Sequence, residues 1–251
     1  MKKLGLIGYP LSHSFSVGYF GKKFEAEGIT DFQYDNYAIP TITEFPKLLK
    51  NDIELFGLNV TIPYKEQVIP YLDELDEAAA AIGAVNTIQI KNGKTKGFNT
   101  DVYGFKFALL NLLDKSYASA NINQIEALVL GTGGAAKAVY YVLNELNIPF
   151  KTVSRSAKKG DLTYTKIDQQ VIEKHRLIVN TTPLGMSPNI SSAPDLPYEY
   201  LTAQHFLYDL IYNPPETRFL KQGKKVGAAI ANGLQMLHLQ AEKSWEIWNN
   251  A

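Results

Sequence analysis

The segment Ala127-Leu128-Val129-Leu130-Gly131-Thr132-Gly133-Gly134-Ala135-Ala136 sets the architecture of this chain. Its four leading apolar residues predict a buried parallel strand. Two glycine-bearing steps then predict a tight turn. Beyond them, Ala135, Val139, Val142, Leu143 and Leu146 recur at helical spacing. Gly131 and Gly133 take the first two places of the dinucleotide fingerprint G-x-G-x-x-G/A, and Ala136 takes the third. Glycine there lets the turn tighten and a pyrophosphate approach the backbone. The following helix start, at Gly134 and Ala135, offers free N–H groups and a partial positive charge. A glycine turn can also exist for geometry alone. Because the motif begins only after residue 130, a separate domain is expected before it, with a cofactor on one side of a cleft and a substrate on the other.

The next strand sharpens the cofactor expectation. It is expected over Phe150–Val153 and runs into Ser154-Arg155-Ser156, with Lys158 and Lys159 following. An NAD site ends its second strand with an acidic residue for the ribose hydroxyl. Here no Asp or Glu stands at the tip. Arginine holds a phosphate bidentately and hydroxyls donate to the same group, so the tip predicts NADP rather than NAD. The plainer reading of Arg155 is a solvated loop arginine.

Composition bounds the rest. The chain has 251 residues, 45% of them hydrophobic and 20% charged, with a formal net charge of zero. That length fits one large domain or two ordinary ones. A balanced charge gives no sign of a nucleic-acid or membrane-surface partner and leaves a small-molecule substrate as the expectation. There is no cysteine, which excludes disulfides, a thiolate nucleophile and Cys-ligated zinc. The four histidines, His13, His175, His205 and His238, form no paired ligand motif, so no metal is expected. The basic start Met1-Lys2-Lys3 leads into an apolar run broken by Gly5 and Gly8 and stopped at Pro10, too short for a signal-peptide core. No uninterrupted apolar run reaches the roughly 18 residues of a membrane span, and the cytoplasm is the expected location.

Before the fingerprint, strand and helix signals alternate. Strands are expected over 4–7, 33–39 and 55–62. Helices are expected over 14–27, 43–49 (with Thr43 as N-cap) and 73–82. The pair 85–90 and 95–99 reads as a hairpin around Asn92-Gly93, the dipeptide of a type I′ turn. A helix over 102–113 precedes a loop over 114–123. Beyond the fingerprint, strands are expected over 177–180, 206–211 and 225–230, a Ser/Pro-rich loop over 187–197, and a last helix after Gly233. That helix carries Leu234, Leu237, Ala241, Trp245 and Trp248 on one face. The fold class is α/β, with two α/β domains flanking a cleft and the second of Rossmann type.

Two segments of the front half carry chemistry-bearing residues. Asn59-Val60-Thr61-Ile62-Pro63-Tyr64-Lys65 is a strand running into a proline-stopped turn with a lysine at its exit. Gly97-Phe98-Asn99-Thr100-Asp101 ends where the next helix starts. Read singly, Lys65 is a surface lysine and Asp101 a helix cap.

Read together with Gly8 to Ser14, Ala84 to Thr87, Asn180 to Met186, Tyr208 to Pro214 and Asn232 to Trp248, these segments resemble the shikimate dehydrogenase family nearly end to end. The resemblance implies reversible, NADP-dependent reduction of 3-dehydroshikimate to shikimate. It implies a substrate domain over 1–101 completed by the helix 233–251, and an NADP-binding domain over 102–232, in a monomer or homodimer. The family's catalytic lysine and aspartate fall on Lys65 and Asp101. An ammonium stabilises the charge that hydride transfer leaves on the carbonyl oxygen and delivers a proton, and a neighbouring carboxylate orients it. Ser14 and Ser16 fall on the substrate carboxylate. Thr61, Asn86, Tyr212 and Gln240 fall on the ring hydroxyls or carboxylate. Gly131, Gly133, Gly134, Ala135, Ser154, Arg155, Ser156 and Lys159 fall on the adenosine and phosphate side of the cofactor, and Thr181, Thr182 and Met186 on the nicotinamide pocket. Each has an ordinary alternative: helix capping for the serines, a strand-end asparagine for Asn86, a gap-filling Met186.

The chain departs from the family pattern at three points. Val17 stands where many relatives have proline, Gln235 where many have glycine, and Ser154 where asparagine is common. The rival expectations are a relaxed quinate/shikimate dehydrogenase using NAD, a catalytically silent nucleotide-binding homologue, and another two-domain dehydrogenase of similar shape.

Overall fold

A computed structural model describes residues 1–11, 14–116 and 125–250. Ser12 and His13 of the first motif, and the part of the expected 114–123 loop from 117 onward, lie outside the described residues. The chain divides into two compact units, Met1–Asp101 with Gln240–Ala251, and Val102–Leu239.

The first unit holds one mixed sheet. Its strands are β1 (Lys2–Gly8), β2 (Phe32–Ala38), β3 (Leu55–Val60), β4 (Glu74–Leu75), β5 (Thr87–Lys91) and β6 (Lys94–Phe98), in the order β2-β1-β3-β5-β6-β4. β1 runs parallel to both β2 and β3, while β3, β5 and β6 pair antiparallel. Central β1 is buried on both faces from Leu4 to Gly8, as its parallel neighbours require. The β5–β6 turn places Asn92 at φ 52° and Gly93 at φ 76°, the left-handed pair that a type I′ turn demands. α1 (Phe15–Glu27) starts on an N-cap bond to Ser14 and ends on left-handed Gly28, burying Phe20 and Phe24.

Two expected helix starts shift. α2 (Phe45–Asn51) follows a 3₁₀ turn over Ile42–Glu44, so Thr43 is not its N-cap. Pro46 in the first turn explains the later start, because proline is tolerated where N–H groups are unpaired anyway. α3 (Glu77–Ile82) starts on Asp76, whose side chain accepts from Ala79 N–H. The residues just before it form β4, which the alanine-rich helical pattern concealed.

The last helix, α8 (Leu234–Asn249), gives its end from Gln240 to this unit. Its buried residues are Ala241, Ser244 and Trp248, while Leu234 is exposed. Of the expected apolar stripe, Ala241, Trp245 and Trp248 join the hydrophobic core, with buried Ser244 among them, while Leu234 stays outside it. Fully buried Trp248 donates its indole N–H to Ile88 C=O at 3.0 Å. Its ring occupies the space where a side chain on residue 57 would be, so only Gly57 fits that point of β3.

The second unit holds a wholly parallel sheet. Its strands are β7 (Ala127–Leu130), β8 (Phe150–Ser154), β9 (Leu162–Thr163), β10 (Leu177–Asn180), β11 (Phe206–Asp209) and β12 (Ala229–Ala231). Read from β9 to β12, the order is β9-β8-β7-β10-β11-β12. That is the dinucleotide-binding order, with its reversal between β7 and β10, where ligands lie beyond the strand ends. α5 (Gly134–Glu145) buries Ala136, Ala138, Val139, Val142 and Leu143. Of the expected stripe, Val139, Val142 and Leu143 are buried and Leu146 is half-buried, while Ala135, in the first turn, is exposed. α4 (Thr100–Ser116), α6 (Gln169–Lys174) and α7 (Arg218–Lys225) complete the helices. α4 begins before Asp101, extends past the expected end at 113, and does not use Asp101 as its N-cap. β9, α6 and α7 were not legible as elements, being two, six and eight residues long. β12 begins at Ala229 because α7 occupies the chain through Lys225.

Candidate active site

The first unit brings Lys65 and Asp101 into direct contact. The Lys65 ammonium donates to Asp101 Oδ2 at 2.6 Å. The two side chains are 34% and 21% exposed, which leaves them reachable by a small molecule. Asp101 Oδ1 accepts from Asn86 Nδ2 at 3.0 Å. Both carboxylate oxygens are thus held, and the lysine is aimed by a group that cannot swing away. Asp101 sits in the first turn of α4, where a negative charge is favoured by the helix dipole.

Asn86 is fixed in turn. Its Oδ1 accepts from Thr100 N–H at 2.7 Å, and its Nδ2 lies 3.4 Å from Gln240 Oε1. Behind it runs a buried polar network. Asn59 donates to Thr87, to Ser244 and to Asn86 C=O, and accepts from Tyr34 at 2.8 Å. Ser244 and Thr87 bond each other at 2.7 Å. Tyr34 also meets Ser16, and burial pushes its phenol well above the ordinary value. Buried polar groups are costly unless bonded, and this network satisfies Asn59 and holds Asn86 in place. It explains why Ser244 interrupts the apolar face of α8.

Ser14 accepts from Val17 N–H at 3.4 Å, and its own hydroxyl proton is left to donate. Thr61 packs so close to Gly8 that a side chain on residue 8 would meet its methyl at 2.5 Å. Ser14, Ser16, Thr61, Lys65, Asn86, Asp101 and Gln240 all belong to the first unit. Tyr212 belongs to the second, half-exposed beyond the end of β11.

The second unit carries a cavity of about 490 Å³ at the ends of β7, β8 and β10. Gly131, Gly133, Ser154, Arg155, Ser156, Lys159, Thr181 and Thr182 line it, as do Thr132, Val153, Tyr164, Pro183 and Leu184. Gly134, Ala135 and Met186 are not among the lining residues. Gly131 has φ 104°, and a Cβ there would stand 2.7 Å from Thr181 Oγ1. The turn therefore needs glycine twice over, for conformation and for space. Around Gly133 and Gly134 the space is open, which is what a pyrophosphate against the helix start requires. Arg155 and Lys159 at the β8 tip supply positive charge without an acidic residue, a donor set that fits a phosphate on the adenosine ribose. The loop from Ser154 to Gly160 is closed at its base, where Asp161 accepts from Thr152 N–H and Oγ1, each at 2.7 Å. The backbone and hydroxyl bonds from Thr152 hold the Asp161 carboxyl below its ordinary range.

Tyr164 escaped the sequence reading. It follows the two-residue β9, and the only available signal was an aromatic shortly after the basic tip. Asp209, at the end of β11, is fully buried, and burial pushes its carboxyl up to about 6 against the bonds it accepts. Among the described residues there is no cluster of metal-ligating side chains, and no helix is long and apolar enough to cross a membrane.

Residues 6–88 match the family model for the shikimate dehydrogenase substrate binding domain. The chain is 39% identical to the NADP(+) shikimate dehydrogenase of Halothermothrix orenii, over 98% of this chain and 90% of that one. Its structure resembles the shikimate 5-dehydrogenase of Thermus thermophilus, solved with NADP(H) and shikimate, at a TM-score of 0.84 and 30% identity, covering all of this chain and 94% of the other. It also resembles the quinate dehydrogenase of Corynebacterium glutamicum, solved with NAD, at a TM-score of 0.87 and 26% identity with the same coverage. The near-complete coverage of relatives at 30% identity or more makes the assignment plain: the chain belongs to the shikimate dehydrogenase family.

Proposed function

We propose that the protein is an NADP-dependent shikimate dehydrogenase that reversibly reduces 3-dehydroshikimate to shikimate, a step toward chorismate and the aromatic amino acids. The observation that carries the reading is the Lys65–Asp101 contact at 2.6 Å, braced by Asn86. The first unit, with the end of α8, binds substrate; the second binds the cofactor. NADPH, when bound, supplies the hydride. Lys65 stabilises the negative charge that grows on the carbonyl oxygen and donates the proton. Asp101 holds the amine in line. Ser14 donates to the substrate carboxylate, and Ser16 does so by turning its proton from Tyr34. Thr61, Asn86, Gln240 and Tyr212 meet the ring hydroxyls or carboxylate. On the cofactor side, Gly131, Gly133, Gly134 and Ala135 admit the pyrophosphate. Ser154, Arg155, Ser156 and Lys159 hold the ribose phosphate, and Thr181, Thr182 and Met186 face the nicotinamide. The enzyme acts on small molecules in the cytoplasm, as monomer or homodimer.

Initial rates with shikimate and with quinate, each with NADP+ and with NAD+, test this. Shikimate with NADP+ should give the highest kcat/KM. Comparable efficiency on quinate with NAD+ would transfer the protein to the quinate-using branch. Tight NADPH binding without turnover on either substrate would make it a silent homologue.

A further inference from the structure

Asp209 and Asn180 end adjacent parallel strands in register, so their side chains emerge side by side beyond the sheet. Asn180 Nδ2 donates to Asp209 Oδ1 at 3.0 Å, Ile211 N–H donates to the same oxygen at 3.1 Å, and Thr217 Oγ1 donates to Oδ2 at 2.6 Å. One buried carboxylate thus gathers a strand end and two points of the segment after β11. Asn180 passes the constraint on. Its Nδ2 bonds Asp209 and also lies 3.5 Å from Leu184 C=O, while its Oδ1 faces the next turn and accepts from Thr182 N–H at 3.1 Å and Thr182 Oγ1 at 2.7 Å. Thr182 Oγ1 in turn accepts from Leu184 N–H at 3.3 Å. Thr182 and Leu184 line the cofactor cavity; Asp209 does not.

A carboxylate buried only to fill space would be costly, since an apolar side chain of that volume needs no bonded partners. What an acid offers here is an acceptor for three donors arriving from different directions, which no apolar residue can supply. We propose that Asp209 is a positioning residue for the cofactor site: through Asn180 it sets the Thr181–Leu184 turn, and so the nicotinamide end of the cavity, while the adenosine end on β8 is built independently of it. This rests on the reading of the cavity as an NADP site.

The two ends can be probed separately. Adenosine 2′,5′-bisphosphate reaches only the adenosine end, whereas NADPH needs both. Asp209→Ala should weaken NADPH binding about tenfold and lower kcat for shikimate oxidation about tenfold, as a displaced reacting group does. Its affinity for adenosine 2′,5′-bisphosphate should stay within about twofold of the wild type. Asp209→Asn keeps an acceptor for Asn180 and Ile211, and Thr217 can turn to accept from the new amide. It should hold NADPH within about threefold of the wild type. Unchanged NADPH binding and kcat in Asp209→Ala would overturn the proposal. So would an equal loss of both ligands, which is what a general loosening of the fold produces. If Asp209→Ala does not fold, Asn180→Ala decides: it leaves Asp209 its bonds to Thr217 and Ile211, and must show the same split. A wild-type protein that binds neither ligand would sink the NADP reading itself. A wild type that binds both, with no split in the variants, sinks only the role of Asp209.

Discussion

The two units build their sites by different means. In the first, the proposed working groups are side chains: an amine and a carboxylate from segments 36 residues apart, braced by Asn86, which with Asn59 is tied to Thr87, Thr100, Ser244 and Tyr34. In the second, the proposed surface combines backbone and short polar side chains at strand ends with the charges of Arg155 and Lys159, shaped by a glycine turn and by carboxylates that pin the loops from behind. A side-chain site concentrates its chemistry in one or two groups, so a single truncation removes a function outright. A backbone site spreads its contribution over several N–H groups, so single side-chain changes weaken it by degrees, and a change in backbone conformation does the most harm.

The largest expected effect is at the concentrated site. Lys65→Ala should lower turnover by roughly 100-fold or more, the usual worth of a positioned proton donor, while NADPH binding measured by fluorescence titration stays as in the wild type. A variant that kept a tenth of wild-type turnover would place the proton transfer elsewhere. Next comes the distributed site. Gly131→Ala forces a side chain into left-handed backbone against Thr181. At about 1–3 kcal/mol for such strain, NADPH affinity by calorimetry should fall by about tenfold or more. Unaltered affinity would show that the turn can open without harm to the site.

The smallest expected effect concerns the loop latch. Asp161 is held below its ordinary range in the folded protein by Thr152, so its contribution to stability is present above the unfolded value of about 3.9 and is lost as pH falls through the lower folded value. Asp161→Asn should melt slightly below the wild type at neutral pH, with the gap closing as the medium is acidified below about pH 4. A gap that widened on acidification would reverse the assigned direction. The effect is small because the pair is exposed to solvent.

The second unit was the more legible of the two, because its candidate residues come from short contiguous stretches. Gly131, Gly133, Arg155 and Lys159 lie on short contiguous stretches whose conformation follows from neighbours a few residues away. The strand, turn and helix around 127–146 announced themselves through apolar run, glycine spacing and helical period. Where reading failed, the elements were too short to show a period, as with β9 and α6, or the residue stood in the first turn of a helix, short of the packed stretch, as with exposed Ala135 and Leu234. Thr43 and Asp101 were reasonable caps on local grounds. Proline in the first turn of α2 displaced one, and an earlier helix start displaced the other.

Local pattern was enough to establish an α/β chain with a dinucleotide turn in its second half and a basic strand tip beside it, because backbone preference and periodicity act over a few residues. The geometry of the Lys65–Asp101 contact and its bracing by Asn86, the buried serine in the final helix, and the convergence of Asn180, Ile211 and Thr217 on Asp209 came only with the folded chain. Those contacts join residues from distant segments, and their distances are fixed by strand register and core packing, quantities no single stretch of sequence contains.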